Sequence, residues 1–178
     1  DYTIMTAHRP IVRGVNAVFD FIEKPYTPVN FKELLVSPND MRKRLIALIN
    51  KEIKNKEQGK DAYILAKVNH ITDRALIEKL YEASAAGVKI ELVVRGNCSL
   101  VPGVPGVSEN IHINGIIDRY LEHSRIFIFA NAGEERYYIG SADWMPRNLD
   151  NRIEVLAPVY DKEIQADLKR IVCYGFQD

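Results

Sequence analysis

Residues 34–94 state one pattern twice: a short apolar run, a polar turn suited to capping, an amphipathic helix, then another apolar run. Residues 34–36 read as a strand and Ser37-Pro38-Asn39-Asp40 as a capping turn. The helix predicted over 41–56 sets Met41, Leu45, Leu48, Ile49 and Ile53 at helical spacing, with lysine and glutamate opposite. A polar segment containing Gly59 ends it, residues 62–68 form a buried strand, and Thr72-Asp73 caps a second helix over 74–85. Gly87 closes that helix before a strand at 88–94. Strand, helix, strand, helix, strand in this order implies a parallel sheet with right-handed crossovers. Such a sheet carries its site at the carboxyl ends of its strands.

That rule directs attention to Lys67, Asn69 and His70 after one strand and to Arg95-Gly96-Asn97 after the next. Arg95 is the stronger phosphate holder, because it follows the apolar run directly and Gly96 beside it leaves room for a substrate. The residues alone leave a second reading open, in which Arg95 pairs with Glu91 or Asp118. For Lys67 and Asn69 a cap or surface role has equal weight.

The stretch 118–156 adds three more apolar runs, at 126–130, 137–140 and 153–157. His123-Ser124-Arg125 enters the first of them, so alternation sets an imidazole and a guanidinium on one face. A guanidinium fork can hold two phosphoryl oxygens, and an imidazole can attack phosphorus or pass a proton to a leaving oxygen. Glu122 is a candidate orienting carboxylate. Gly140 would let a ligand approach the backbone, while Ser141, Asn148 and Asn151 supply neutral hydrogen-bonding groups beside Arg147 and Arg152. Trp144 reads better as a core residue than as a base-stacking platform. The carboxylates are too scattered for a protein-only magnesium cage, so any metal would arrive with a nucleotide. The apolar loop within 99–110 would cover the site or pack on a neighbouring domain, and a helix over 161–174, with Ile164, Leu168, Ile171 and Val172 inward, completes the second layer.

Upstream, residues 2–5 read as a strand and 10–22 as a helix with Ile11, Val15, Val18, Phe19 and Ile22 on one stripe and no partner sheet of its own. Pro25 and Pro28 then break the pattern. The expected division is therefore 1–30, the end of a preceding domain plus linker, and 31–178, a single further domain, with the chain as a fragment of something longer. Twenty-four basic residues balance 24 acidic ones, so no bulk field points to nucleic acid or a membrane and any anion site is local. Two cysteines without metal-ligand spacing fit a reducing compartment, and no apolar run is long enough to span a bilayer. A cytoplasmic location follows as an expectation.

The order His-x-basic, strand, Gly-Ser, Asn, then Asn-x-x-Glu resembles one half of a phospholipase D type site, with Arg125 where that family usually has lysine. The segments YLEHSRIFIF, IGSADWMPRNLDNRIEV and LVVRGNCSLVPG together resemble the C-terminal region of bacterial polyphosphate kinases. The fold this implies is α/β, phospholipase D-like, with a mixed, largely parallel sheet and helices on both faces. The activity it implies is reversible transfer of the terminal phosphoryl of ATP to inorganic polyphosphate, with Mg2+ on the nucleotide and a phosphohistidine carried upstream. No His-x-Gly-x-Gly-Asn motif is present, so this chain alone should be nearly inactive. The resemblance assigns His123 a catalytic role as proton or hydrogen-bond donor, and Arg95, His123, Arg125, Ser141 and Asn148 to ATP or phosphate. Its partners would be ATP or ADP, polyphosphate and upstream domains of the same polypeptide, with no nucleic acid. Homo-oligomerisation and membrane association of the longer protein stay open. Two alternatives stand beside it: half of a phospholipase D type phosphodiesterase or nuclease, and a non-catalytic module that binds nucleotide or polyphosphate.

Overall fold

The computed structural model describes residues 1–117 and 119–176. Among these described residues, seven strands form one sheet, β1 (Leu35–Ser37), β2 (Tyr63–Val68), β3 (Lys89–Val94), β4 (Ile111–Asn114), β5 (Arg125–Phe129), β6 (Arg136–Gly140) and β7 (Glu154–Val159), and four α-helices accompany them: α1 (Arg9–Glu23), α2 (Met41–Glu57), α3 (Arg74–Ala85) and α4 (Lys162–Tyr174). The sheet order is β1-β7-β6-β5-β2-β3-β4. Pairing is parallel for β2 with β3 and β3 with β4, and antiparallel for β1–β7, β7–β6, β6–β5 and β5–β2.

The mixed class expected from sequence is what forms. Five of the seven strands, β1, β2, β3, β4 and β6, run one way, and only β5 and β7 oppose them. Most neighbouring pairs are nonetheless antiparallel, because β1 does not lie beside β2. β5 takes that place, and α2 carries the chain from the far edge across three intervening strands. At roughly 1.5 Å per residue a helix of this length reaches about 25 Å, enough for four strand spacings of about 4.8 Å.

Alternation along the strands builds two apolar faces. Leu35, Ile64, Ala66, Phe127, Phe129 and Leu156 point to α2 and α3, meeting Leu45, Ile49, Leu76 and Leu80. Leu65, Val93, Ile126, Ile128 and Val159 point the other way, to Leu168 and Val172 of α4. The caps follow the sequence: Asp73 accepts a hydrogen bond from the Leu76 amide, and Asp161 from Glu163 and Ile164. Gly59 and Gly87 hold positive φ where each helix ends.

Three local expectations are corrected. Residues 1–8 form no strand, since their backbone joins no sheet edge; Ile4 packs against the α4 layer instead. Helix α1 does have a sheet to pack on: Ile11, Val18 and Phe21 lie with Phe31, Leu34 and Val36, and against Val155 and Ala157. It carries two apolar stripes, and the one turned inward leaves Val15, Phe19 and Ile22 exposed. On α4, Ile164 is exposed and Gln165 takes the inward position, donating to the Val159 carbonyl at 2.7 Å.

Candidate functional site

With five strands pointing one way, a single sheet edge gathers the carboxyl ends of β2, β3 and β6 and the entrances of β5 and β7. A cleft of about 710 Å³ opens there. Its walls include Asn69 and His70 after β2, Arg95 after β3, His123 and Arg125 entering β5, Ser141 and Asp143 after β6, and Asn148, Arg152 and Glu154 around the start of β7. All five residues singled out from sequence, Arg95, His123, Arg125, Ser141 and Asn148, therefore share one cavity.

Their environments differ. Arg95 donates from Nε to Asn69 Oδ1 at 2.7 Å, which aims its guanidinium along the cleft. It pairs with no carboxylate among the described residues; Glu91 is engaged by Lys89 at 2.7 Å. The alternative partner, Asp118, lies outside the described residues. Gly96 does not make room for a ligand, because the His70 ring fills the space a Cβ would take, and His70 Nδ1 accepts from the Asn97 amide at 2.9 Å. Gly140 likewise serves close strand packing: a Cβ there would collide with the Val155 carbonyl of β7.

Arg125 is arranged otherwise than its sequence position suggests. Its fork faces Asp143, with Nε to Oδ1 and Nη2 to Oδ2 both at 3.2 Å. Nη1 donates to the His123 carbonyl at 2.9 Å and lies 3.1 Å from His123 Nδ1. The bidentate face expected to hold phosphoryl oxygens is thus spent on a buried carboxylate. What remains to the cleft is its positive charge and its grip on His123. Asp143 also accepts from the Asn69 amide at 2.8 Å and from Asn69 Nδ2 at 3.3 Å. Burial would raise the Asp143 carboxyl, but the Arg125 and Asn69 hydrogen bonds outweigh it and hold the group below its ordinary value.

Burial first, then the charges of Arg125 and Arg95, pulls the His123 imidazole below its ordinary value. Nδ1 faces Arg125 Nη1, and in the tautomer where it accepts from that guanidinium the neutral ring keeps a proton on Nε2 to donate. Asp1 Oδ1 also lies 2.9 Å from His123 Nδ1, a contact that belongs to the other tautomer. Glu122, the expected orienting carboxylate, turns away and binds Lys67 at 2.9 Å. Asn148 is buried and donates to Glu154 Oε1 at 2.7 Å, while Ser141 Oγ accepts from the Val155 amide at 3.4 Å. Arg147 and Arg152 stand exposed on the rim.

Asp143 belongs to the cleft and was not named from sequence, whereas Asn69 and His70 were named at the end of β2 and Glu154 enters as the glutamate of the Asn-x-x-Glu order. For Asp143 one signal was present: an aspartate between Ala142 and Trp144 in a run that folds inward. Trp144 itself is fully buried, stacked on Phe127 with centroids 5.3 Å apart, which bears out the core reading. Its carbonyl accepts from the Thr72 and Asp73 amides, tying this loop to the start of α3.

The cleft suits a polyanion. Four arginines meet Asp143, Glu154 and the terminal Asp1, and both interior carboxylates already have partners: Asp143 the Arg125 fork, Glu154 the Asn148 amide, with Arg152 Nη1 at 4.0 Å. Carboxylates committed to protein donors leave little for a resident cation. Both cysteines are free, and among the described residues no helix is long and apolar enough to cross a membrane. The apolar loop within 99–110 does not wall the cleft; Val101, Val104 and Val107 face outward from it.

Residues 34–178 match the family described as polyphosphate kinase C-terminal domain 2. A polyphosphate kinase of Vibrio cholerae is 49% identical over 178 residues, all of this chain and 25% of that protein. The crystal structure of polyphosphate kinase from Porphyromonas gingivalis superposes with a TM-score of 0.92 at 44% identity, covering 98% of this chain and 27% of that one. Nuc from Salmonella typhimurium, a phospholipase D family member, shares the fold at a TM-score of 0.56 and 13% identity, over 78% of this chain and 89% of its own. The chain thus spans about a quarter of the curated relatives it matches.

Proposed function

The chain belongs to the polyphosphate kinase family, and from that premise we propose that its cleft is one half of a phosphoryl-transfer site, acting on ATP and inorganic polyphosphate together with a phospho-accepting histidine elsewhere in the longer protein. The observation that carries this reading is the convergence of Arg95, His123 and Arg125 in one cleft at the sheet edge.

In the first step the P–O bond to the terminal phosphoryl of ATP breaks, a P–N bond to the upstream imidazole forms, and ADP leaves. In the second, a terminal oxygen of polyphosphate attacks that phosphorus and the P–N bond breaks. Neither step needs covalent help from this chain. Each needs charge neutralisation and positioning, which dominate phosphoryl transfer. Arg95, held by Asn69 and without a carboxylate partner among the described residues, grips the nucleotide phosphates. His123, its pKa depressed, meets the transferring phosphoryl as a neutral ring, so hydrogen-bond donation from Nε2 is favoured over full proton transfer. Arg125 fixes that ring and adds charge rather than a fork, while Arg147 and Arg152 on the rim extend the positive track for polyphosphate. Magnesium carried on the nucleotide would add to the charge neutralisation that Arg95 supplies.

The test is made on the full-length protein. Incubation with ATP should yield an acid-labile phosphohistidine, and His123→Ala should cripple polyphosphate synthesis while the circular dichroism spectrum is unchanged. A fully active His123→Ala protein would remove the assignment. Phosphodiester cleavage by the 178-residue chain would instead favour the phospholipase D type reading.

A further inference from the structure

Lys67 is a cation where strand β2 would be expected to carry an apolar side chain. It is 3% exposed and shares the face of Leu65, opposite Ile126 in the β2–β5 register. An ammonium is unfavourable at such a place unless paired. Its partners are Ser124 Oγ at 2.6 Å and Glu122 Oε2 at 2.9 Å, the residues on either side of His123. Side chains alternate across an extended segment, so a cation that holds 122 and 124 behind the sheet fixes the backbone that presents His123 and Arg125 in front. Lys67 is not itself among the cleft walls.

We propose that Lys67 is a positioning residue for His123: its ammonium clamps the entrance of β5 from behind, so that the imidazole is held against Arg125 inside the cleft. This rests on the reading that His123 serves phosphoryl transfer, and it adds a residue that touches neither substrate nor His123. The clamp also accounts for why Glu122, despite adjacency, is no partner of the imidazole.

The experiment uses the full-length protein and two readouts. The first is carbethoxylation of His123 by diethylpyrocarbonate, followed by peptide mass spectrometry across pH, which reports the titration of that ring without reference to activity. The second is kcat and KM for ATP in polyphosphate synthesis. In Lys67→Met the His123 midpoint should rise toward the ordinary value of about 6.5 as the ring loses its burial and then the nearby charges of Arg125 and Arg95. kcat should fall roughly 10- to 100-fold, the scale of a small misplacement, with KM for ATP nearly unchanged. Glu122→Gln should move both readouts in the same direction by less. A folded Lys67→Met protein with an unmoved His123 midpoint overturns the proposal, whether or not its rate has fallen. If Lys67→Met does not fold, Glu122→Gln decides, since that side chain is 40% exposed and the glutamine amide oxygen still gives the Lys67 ammonium an acceptor beside Ser124 Oγ; an unmoved midpoint again overturns it. A fully active His123→Ala protein would defeat the functional reading while leaving the titration result standing, so the two failures are told apart.

Discussion

Asp143→Ala is the substitution with the largest effect that the cleft geometry dictates. It removes the acceptor of four donors: Arg125 Nε and Nη2 at 3.2 Å each, the Asn69 amide at 2.8 Å and Asn69 Nδ2 at 3.3 Å. The Arg125 side chain is only 10% exposed, so its charge would be left inside without its main partner. Breaking a buried pair from one side costs about 3–5 kcal/mol. Asp1, 3.7 Å from Arg125 Nη1, gives partial compensation, which places the expected loss near the lower end, about 3 kcal/mol. For a domain of this size that is a fall of roughly 6–12 °C in Tm. The double variant Arg125→Met/Asp143→Ala removes both charges and leaves the Asn69 amide without its acceptor, while Asn69 Nδ2 keeps the His123 carbonyl at 3.4 Å, so it should cost about 1–3 kcal/mol, well short of the sum of the singles. Because the folded carboxyl sits below its ordinary value, its stabilisation is present above about pH 3.9 and disappears as pH falls through the lower folded value. Urea denaturation of wild type, both singles and the double, at neutral and acid pH, measures all of this. A single-variant loss under about 1 kcal/mol, or a double that equals the sum, would refute the idea that Asp143 is the hub of the cleft.

Trp144→Ala should cost about 3–5 kcal/mol, since a fully buried ring stacked on Phe127 is removed; urea denaturation gives the number, and a loss below about 1 kcal/mol would contradict the packing. Gly140→Ala should separate β6 from β7, because the new methyl meets the Val155 carbonyl, and amide exchange across this pair should speed up while β2–β3 stays protected. Glu52 is buried beside the Asn131 turn, and burial pushes its carboxyl up. Its contribution is therefore full below the ordinary glutamate value and lost as pH rises through the higher folded value, so Glu52→Gln should gain stability over wild type at pH 8 and lose that advantage near pH 4 in parallel urea titrations.

The parts of this molecule that local chemistry decides were legible. Asp73 and Gly87 mark the two ends of α3 because a cap and a positive-φ stop are requirements of the backbone itself. Alternation set His123 and Arg125 on one face because that is a property of extended chain. What could not be read was which distant groups fill the other side of each contact. Asp143 meets Asn69 from 74 positions away, and Arg125 turns its fork to that same carboxylate rather than to open space. Periodicity on α1 shows two apolar stripes, and only the position of Leu34, Val36 and β7 decides that Ile11, Val18 and Phe21 turn inward. The place of β1 at the far edge was hidden for a related reason: a helix long enough to make a short crossover is also long enough to cross half a sheet.

The whole mechanism requires Arg95 and His123 to face the same phosphoryl group, and a crystal structure of the full-length protein with a non-hydrolysable ATP analogue, magnesium and tripolyphosphate would reveal whether they do. Phosphoryl oxygens should lie within hydrogen-bond distance of both the Arg95 guanidinium and His123 Nε2, with Arg125 still paired to Asp143. Phosphates bound away from this sheet edge, or held by Arg125 with His123 turned aside, would contradict it.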